Sequence, residues 1–505
     1  MSLAAVVFAA ILPTLATQVM KETSPPVYRP PLFRPPDLSL NQTASRWGVT
    51  GADLGILWDG GRGMVYSIYG DSFYNNTDHR SNVLAYSIDR VFTDGMALSV
   101  AVTDAPNHAS VAIPTSYTDG TGNIPSAGIS VGDTQYVHFM SVKFHGTDGG
   151  AGYATNYSGI ASMDGYFNPF TESSVTWSPT SNFGMGALYH EGNYVYLFGT
   201  KPGRVSGVRL ARVLDNQILT KSAWQYLTPS GWSSSETTAM DIVTGPVGEM
   251  SVQYNTYFHR YIMTYYDPFT QGRRDAVMLR DSPSLAGPWT GAKIIAAGDT
   301  YGGPWHLPYG SYIHPWSNDG TDLYFVMSLF SPIYNTFLMH STLSNNGDEN
   351  MLSDPGFEDQ TSNPGYGVLA PWVPSATGGA TIQRGTGTAH TGANHARLAA
   401  TDHAQHTIGQ MVAVKPFTTY HATAWVHTSP GMQNGSLSIR DNPGYPATLI
   451  AATLIDSTAA ASPPGAPVSL TFSSGGHTHV AFVVGFAGDG TSNELLLDDA
   501  SLIQQ

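Results

Sequence analysis

Three carboxylates stand where the chain could carry out acid–base chemistry. Asp53 and Glu249 lie at the starts of two short strand-like segments in which small residues otherwise predominate, and Asp71 ends the longer segment that follows the first of them. Antiparallel neighbours in a sheet return to the same edge, so Asp71 is expected beside Asp53. Glycoside hydrolysis uses such a set, because one carboxyl group donates a proton while another stays ionised as base or nucleophile. This chemistry predicts no cofactor for catalysis.

The same residues also have a structural interpretation. Aspartate at a strand end commonly accepts hydrogen bonds from the backbone amides of a turn. Asp267 ends the segment beside Glu249, but it precedes a proline and is interpreted as such a turn residue. For the other three, crowding in a partly desolvated funnel would raise at least one pKa and separate the roles of acid and base.

The segments that position these carboxylates recur five times at nearly even spacing. Each repeat has a short strand, an aromatic-rich strand and a partner strand, and the aromatic-rich strands are led by Tyr66, Tyr136, Tyr194, Tyr261 and Tyr324. A fixed period of short strands with glycine-rich turns indicates radial blades. The sequence therefore predicts an all-β protein with a five-bladed β-propeller over residues 44–343, whose short strands line the central channel.

Composition limits the remaining possibilities. A chain of 505 residues is too long for a single core. The net charge of −15 argues against a nucleic-acid partner, which would require a basic surface. The absence of cysteine excludes disulfides, thiolate metal sites and thiol nucleophiles. No apolar run reaches the length of a membrane span, so none is predicted.

The pattern changes on both sides of the repeats. Residues 1–43 comprise an apolar start and a proline-rich segment, which favours a stiff extended arm rather than a blade. Residues 344–350 are polar and predict a linker. Residues 351–505 show alternating strands without the long period and predict a single β-sandwich.

The apolar start allows two interpretations. Its length suits a secretory signal peptide, but no lysine or arginine precedes it, and Lys21 is the first basic residue. The alternative is a retained segment that docks on a partner, since exposed apolar patches drive association. We favour the retained segment.

Aromatic and histidine side chains cluster ahead of the fifth aromatic-rich strand. Their ring faces could stack on the C–H surfaces of sugars, while their polar ends bond hydroxyl groups. Large aromatics in propellers also fill the space between blades, and this alternative stays open for Tyr312. The predicted substrate-binding residues are Trp305, His306, Tyr309, Tyr312 and His314.

The propeller region resembles a family once catalogued as a domain of unknown function. The likeness is carried by residues 46–55, 69–73, 113–115, 248–251 with Tyr254, and 309–315. That family is associated with endo-D-arabinanases that cut the arabinan of actinobacterial cell walls. The resemblance, together with the analogy to other arabinan-cleaving propellers, implies Asp53 as base or nucleophile, Glu249 as acid and Asp71 as the residue that orients and tunes them.

The C-terminal region resembles carbohydrate-binding jelly rolls. Residues 350–358 match their opening segment, and residues 498–502 match their closing strand. The resemblance implies a structural Ca²⁺ held by Glu358 and Asp499, as hard oxygen ligands allow. We expect Trp372 to be available for stacking on sugar and Trp425 to lie in the core.

The sequence as a whole favours an endo-acting glycoside hydrolase of D-arabinan type. We expect a minor tail protein of a phage, located in the virion, whose N-terminal segment contacts other tail proteins and whose substrate is host cell-wall arabinan or arabinogalactan. The alternatives are a glycan-binding adhesin that does not cut its ligand, and a secreted arabinan-degrading enzyme.

Overall fold

The computed structural model describes most of the chain. The described residues are 20–22, 27–31, 41–74, 78–92, 95–117, 119–144, 153–268, 276–298, 306–345, 350–360, 367–368, 370–375, 380–384, 390–430, 432, 434–444, 447–461 and 465–505. Strands dominate throughout. The short helical elements are Thr43–Trp47, Asp215–Gln217, Lys221–Ala223, Glu236–Thr238, Glu358–Gln360 and Ser457–Ala460.

The first two blades are antiparallel sheets whose strands follow one another from the axis outward. Blade 1 is formed by Gly51–Gly61, Met64–Tyr74, Val83–Ser87 and Val100–Ala101, with Asp78–Arg80 paired to its second strand. A two-stranded ribbon of Thr103–Ala105 and His108–Ala109 follows. Blade 2 is formed by Thr121–Val131, Thr134–Phe144, Tyr153–Asp164 and Thr171–Trp177.

The next three blades repeat this order. Blade 3 is formed by Met185–Glu191, Tyr194–Thr200, Val208–Leu214, Gln225–Thr228 and Gly231–Ser233, with Asp241–Val243 paired to its third strand. Blade 4 is formed by Met250–Asn255, Arg260–Asp267, Ala276–Ser282 and Lys293–Ala297. Blade 5 is formed by Pro308–Ile313, Asp322–Leu329 and Asn335–Asn345, with an N-terminal addition.

The five blades close into a ring. The innermost strand of each blade contacts that of the next, and the innermost strand of blade 5 returns to that of blade 1. Close approach of the strands requires small residues at the axis. At Gly128 of blade 2, a Cβ atom would lie 2.2 Å from the ring of Trp58 in blade 1. The prediction of a five-bladed propeller is confirmed.

The N-terminal segment completes blade 5. Met20–Glu22 pairs with residues 343–345, and Val27–Pro31 pairs with residues 337–340, both antiparallel to the last strand of that blade. The expectation of an extended arm rather than part of a blade is therefore wrong for these two strands. Residues 1–19 and 32–40 lie outside the described part of the chain. The two N-terminal strands join blade 5 because its last strand offers an open edge. The backbone groups of that edge gain partners from an extended, proline-containing segment.

The C-terminal region is a sandwich of two five-stranded sheets, which confirms that prediction. In order across each sheet, the first contains Val373–Pro374, Gln405–Ala413, His479–Ala487, Ser436–Arg440 and Leu449–Leu454. The second contains Ala380–Arg384, Asn394–Ala400, Asn493–Gln504, Thr419–Thr428 and Ala466–Ser473.

The two tryptophans singled out in the sandwich exchange their expected places. Trp372 is 1% exposed in the core, and its indole N–H donates to the carbonyl of Asp354 at 2.8 Å. Trp425 is half-buried on the outward face of its strand, where the ring of His390 stacks on it at 3.7 Å. Apolar neighbours in sequence did not distinguish the two faces, because Val426 and Ala424 point inward on either side of an outward tryptophan.

The sandwich contacts blades 3 and 4 of the propeller. The hydroxyl of Ser353 accepts from the backbone N–H of Ala292 at 2.8 Å, and His479 lies 3.4 Å from the carboxylate of Asp241. The predicted domain boundaries stay predictions, since residues 346–349 are outside the described part. Within the part that is described, no helix has the length and apolar character needed to cross a membrane.

Candidate active site

Asp53 stands at an irregular point of the innermost strand of blade 1. The pairing register with the second strand shifts on both sides of Leu54, and Leu54 and Gly55 have φ angles of 63° and 79°. Bulges of this kind re-aim side chains and are costly for a leucine. The irregularity turns the carboxylate of Asp53 toward the axis at the end of the channel.

Burial and neighbouring negative charges raise the pKa of Asp53. The hydroxyl of Tyr309 donates to Oδ2 at 3.0 Å, and the buried Oδ1 has no hydrogen-bond partner by distance and angle among the described residues. Burial is the largest cause that raises the pKa of Asp53, to about 7, and the charges of Asp71 and Glu249 act in the same direction. The hydroxyls of Tyr334 and Tyr309 oppose the rise. Asp53 can therefore exchange a proton near pH 7.

Asp71 lies at the same end of the channel, near the end of the second strand of blade 1. Its carboxylate contacts Nε2 of His79 at 2.8 Å, with 27% of the Asp71 side chain exposed. The hydrogen bond to Asp71 is the largest cause that raises the pKa of His79. The ring of Phe73 stacks on His79 with centroids 4.9 Å apart. Asp71 is thus an accessible acceptor held by a histidine.

Glu249 is bound by an arginine that sequence reasoning missed. Its carboxylate, 7% exposed, accepts from Nε of Arg204 at 2.9 and 3.1 Å and from Nη2 at 2.5 Å. Arg204 comes from the turn after the second strand of blade 3 and has a φ of 61°. Lys201, which directly follows that strand, is not among the residues lining either cavity. A residue in a left-handed turn, such as Arg204, cannot be recognised from composition alone.

The carboxylates face two adjoining cavities. The front cavity, of about 520 Å³, is lined by Asp53, Asp71 and Arg204 together with an apolar and aromatic wall. The inner chamber, of about 110 Å³, is lined by the same three residues and by Glu249. All three predicted carboxylates therefore meet around one space, as the topology of the repeat implied.

Among the predicted substrate-binding residues that the structure describes, one lines the front cavity. That residue is Tyr309. His306 is exposed and is not among the lining residues of either cavity, and Trp305 lies outside the described residues. Tyr312 is 2% exposed and lines the axial channel beyond the inner chamber, on the side away from the front cavity.

The expectation for His314 is wrong. It is fully buried between blades 5 and 1, with Phe92 at 4.5 Å and Trp316 at 5.5 Å between ring centroids. Burial, with a smaller effect of Arg90, lowers its pKa to about 3, so the ring is neutral. Side chains point to alternate faces along the innermost strand of blade 5. His314, the residue after that strand, faces the neighbouring blade.

The apolar and aromatic wall of the front cavity consists mostly of residues that the sequence analysis did not predict. It is formed by Phe73, Tyr266, Leu307, Pro308, Tyr309, Phe330 and Tyr334. Phe330 is 61% exposed, and the ring of Tyr334 lies edge-on to it at 6.2 Å. An aromatic pair in the turn between the last two strands of blade 5 was the available signal, because loops at the rim carry ligand contacts.

The residues predicted to hold calcium in the sandwich are engaged by the protein. Oε1 of Glu358 accepts from the backbone N–H groups of Ala393 and Asn394 at 2.8 Å each. The oxygens of Asp499 accept from Thr391 at 2.7 Å and contact His390 at 2.6 Å. Among the described residues, no three acidic or histidine side chains form a group suited to a metal ion.

The fold and site define a five-bladed propeller with three carboxylates and an arginine at one end of its channel. The chain belongs to the DUF4185 family, described as a domain of unknown function, which matches residues 38–340. The match covers blades 1 to 4 and blade 5 as far as residue 340, so all residues lining the two cavities lie within it.

Individual relatives are distant. Notoamide biosynthesis cluster protein J of Aspergillus sp. (strain MF297-2) is 28% identical over 320 residues, covering 57% of this chain and 81% of the relative. An exo-β-1,3-galactanase of Phanerochaete chrysosporium with β-1,3-galactotriose is 11% identical, with a TM-score of 0.40, covering 94% of this chain and 100% of that one. A glycoside hydrolase family 43 arabinoxylan arabinofuranohydrolase of Bacillus subtilis with cellotetraose is 14% identical, with a TM-score of 0.35, covering 90% and 96%.

Proposed function

We propose that the protein is a glycoside hydrolase whose propeller cleaves a furanose polymer of the D-arabinan type. The observation that carries this proposal is the meeting of Asp53, Asp71 and Glu249 around one chamber, with the pKa of Asp53 at about 7. Two carboxyl groups with different protonation are the requirement of glycosidic bond cleavage.

The environments of the carboxylates assign their roles differently from the family analogy. Asp53 keeps a proton near pH 7 and is suited to donate it to the departing oxygen. Both oxygens of Glu249 accept from Arg204, which fixes the carboxylate in place beside the chamber. Asp71, paired with His79, raises the pKa of Asp53 through its charge. We therefore propose Asp53 as acid and Glu249 as base or nucleophile.

The walls of the front cavity support a sugar ligand. Its lining combines Asp53, Asp71 and Arg204 with aromatic rings, of which Phe330 is the most exposed. A sugar ring has C–H groups that pack on aromatic faces and hydroxyl groups that bond charged side chains. A volume of about 520 Å³ lies in the range of small-ligand sites. Endo action on a polymer stays a prediction.

The decisive test is hydrolysis of purified arabinogalactan, with the products analysed by chromatography. We expect oligosaccharides from the wild type and none above background from the Asp53→Asn protein. Binding of the polysaccharide without release of products would instead favour the glycan-binding adhesin.

The pH dependence of kcat/KM distinguishes the two assignments of Asp53. As proton donor, Asp53 must be protonated, so activity should fall about tenfold per pH unit above its pKa of about 7. As base it must be ionised, and activity would then fall below that pH. The measurement is an initial-rate profile from pH 4 to 9 on arabinan, with folding at each pH checked by circular dichroism. A rate that rises through pH 7 contradicts the donor role.

For the sandwich we propose added affinity for the same polysaccharide, through a higher effective concentration at the polymer surface. We expect insoluble cell-wall polysaccharide to retain the fragment 351–505 in a pull-down. The same fragment with Trp425→Ala tests whether the outward tryptophan contributes to that retention. No retention above a control without polysaccharide would make the sandwich a spacer. The structural Ca²⁺ also stays a prediction, tested by whether Ca²⁺ raises the melting temperature after chelation.

The location stays a proposal as well. A phage tail, with contacts to other tail proteins through the N-terminal segment, and a secreted enzyme are both consistent with a protein that acts on cell-wall glycan. Intact-mass measurement of native material separates them. A mature chain that begins near Thr17 would indicate a cleaved leader and favour secretion.

A further inference from the structure

The inner chamber has two chemically different walls. Its polar wall is formed by the three carboxylates and Arg204. Its apolar wall is formed by Ile124, Met140, Val142 and Met185, which pack together across blades 2 and 3. The last three of these are at most 5% exposed, so they are fixed by their surroundings. A ligand with one apolar and one hydroxyl-bearing face would match both walls.

The chamber lies in series with the other cavities along the axis. It shares Asp53, Asp71 and Arg204 with the front cavity, and Ser126 with the axial channel beyond. A group that passes the carboxylates from the front cavity therefore enters this chamber. The reacting bond would lie at the shared residues, with one sugar ring on each side.

Two buried polar atoms near the axis have no hydrogen-bond partner by distance and angle among the described residues. One is Oδ1 of Asp53, which lines the chamber, and the other is the hydroxyl of Tyr312, which lines the adjoining axial channel. Burial is the largest cause that raises the pKa of Tyr312, and the charges of Glu249 and Asp53 act in the same direction. Buried polar groups without partners are costly, and ligand hydroxyls would satisfy them.

We propose that the inner chamber binds the sugar ring whose glycosidic bond is cleaved, and that Met140, Val142 and Met185 select a five-membered over a six-membered ring. This inference rests on the proposed hydrolase function. The chamber is small, with a volume of about 110 Å³ against about 520 Å³ for the front cavity. Close-packed walls resist expansion, and one additional carbon in such a pocket changes selectivity by about 10–200-fold.

The test measures binding separately from hydrolysis. Two probes of equal length, an arabinofuranose oligosaccharide and a hexopyranose oligosaccharide, are titrated calorimetrically into the Asp53→Asn protein. We expect preference for the furanose probe. Adding Met185→Ala, which enlarges the chamber, should reduce that preference at least about tenfold. Met140→Ala serves as a second enlarging variant should the first not fold, as judged by its melting curve.

The matched control is Ile333→Ala. Ile333 is 47% exposed in the same turn as Phe330 and is not among the residues lining either cavity. It should leave both affinities unchanged. An unchanged preference in a folded enlarging variant overturns the selectivity assignment. If the preference responds but the wild type releases no product from arabinan, the ring site stands and the hydrolase function fails.

Discussion

Replacing Asp53 by asparagine is expected to lower kcat on arabinan by about 10²–10⁴-fold, the usual contribution of general acid–base catalysis. Asparagine keeps the size of the side chain and can still accept from Tyr309, but it cannot supply a proton. Because Asp53 is held in place by Tyr309 and by packing over Gly70, the fold should be retained. The measurement is the rate of reducing-end release, with the melting temperature as the check on folding.

A matched pair of variants separates acid from base. We expect the Asp53→Asn protein to recover much of its activity on an arabinofuranoside with an activated aryl leaving group, which departs without protonation. The Glu249→Gln protein should stay inactive on both substrates, since its base or nucleophile is lost. The reverse result would return the roles to those implied by the family resemblance, with Glu249 as acid.

The second large effect is expected from Gly70→Ala. A Cβ atom at this position would lie 2.4 Å from Oδ1 of Asp53 and 2.8 Å from a methyl group of Leu54. Either the carboxylate or the strand must move, and overpacking of this kind costs about 1–3 kcal/mol of stability. A displacement of about 1 Å in a catalytic group can cost about 10²-fold in rate, so activity should fall further than stability suggests.

Gly132→Ala is the control for this prediction. It is another glycine of the propeller, and no heavy atom lies within 4 Å of the Cβ that would be added there. Its φ of 60° makes it strained on its own account, so its melting temperature should fall while kcat stays near the wild-type value. Equal kcat values for the two glycine variants would show that the Gly70 contact does not position Asp53.

Together the variants address how one carboxyl group keeps a proton in a crowded site. Burial and two neighbouring carboxylates favour the protonated form of Asp53, whereas two tyrosine hydroxyls favour its charged form. Arg204 bonds Glu249 through both its Nε and its Nη2 atom, and among the described residues no hydrogen bond from it to Asp53 is seen. The asymmetry between the two carboxyl groups therefore depends on where a single arginine is placed.

The sequence by itself determined the ring and the end of it that carries the site. A strand period repeated five times, with glycine-rich turns, favours a closed set of blades, and antiparallel pairing then brings the ends of neighbouring strands to one rim. Asp53, Asp71 and Glu249 followed from that rule, because strand direction and register are local properties of the chain. The two strongly patterned regions also separated the propeller from the sandwich.

Only the tertiary structure decided which side chains complete the site. Arg204 enters from a turn with left-handed backbone, and Phe330 and Tyr334 enter from another turn. The side chain of His314 lies buried between blades, although the same segment supplies Tyr309 to the front cavity. Turn conformation and the facing of a side chain across a blade depend on long-range packing between strands far apart in sequence. Strand periodicity carries no information about that packing, so the carboxylates could be placed from sequence and their partners could not.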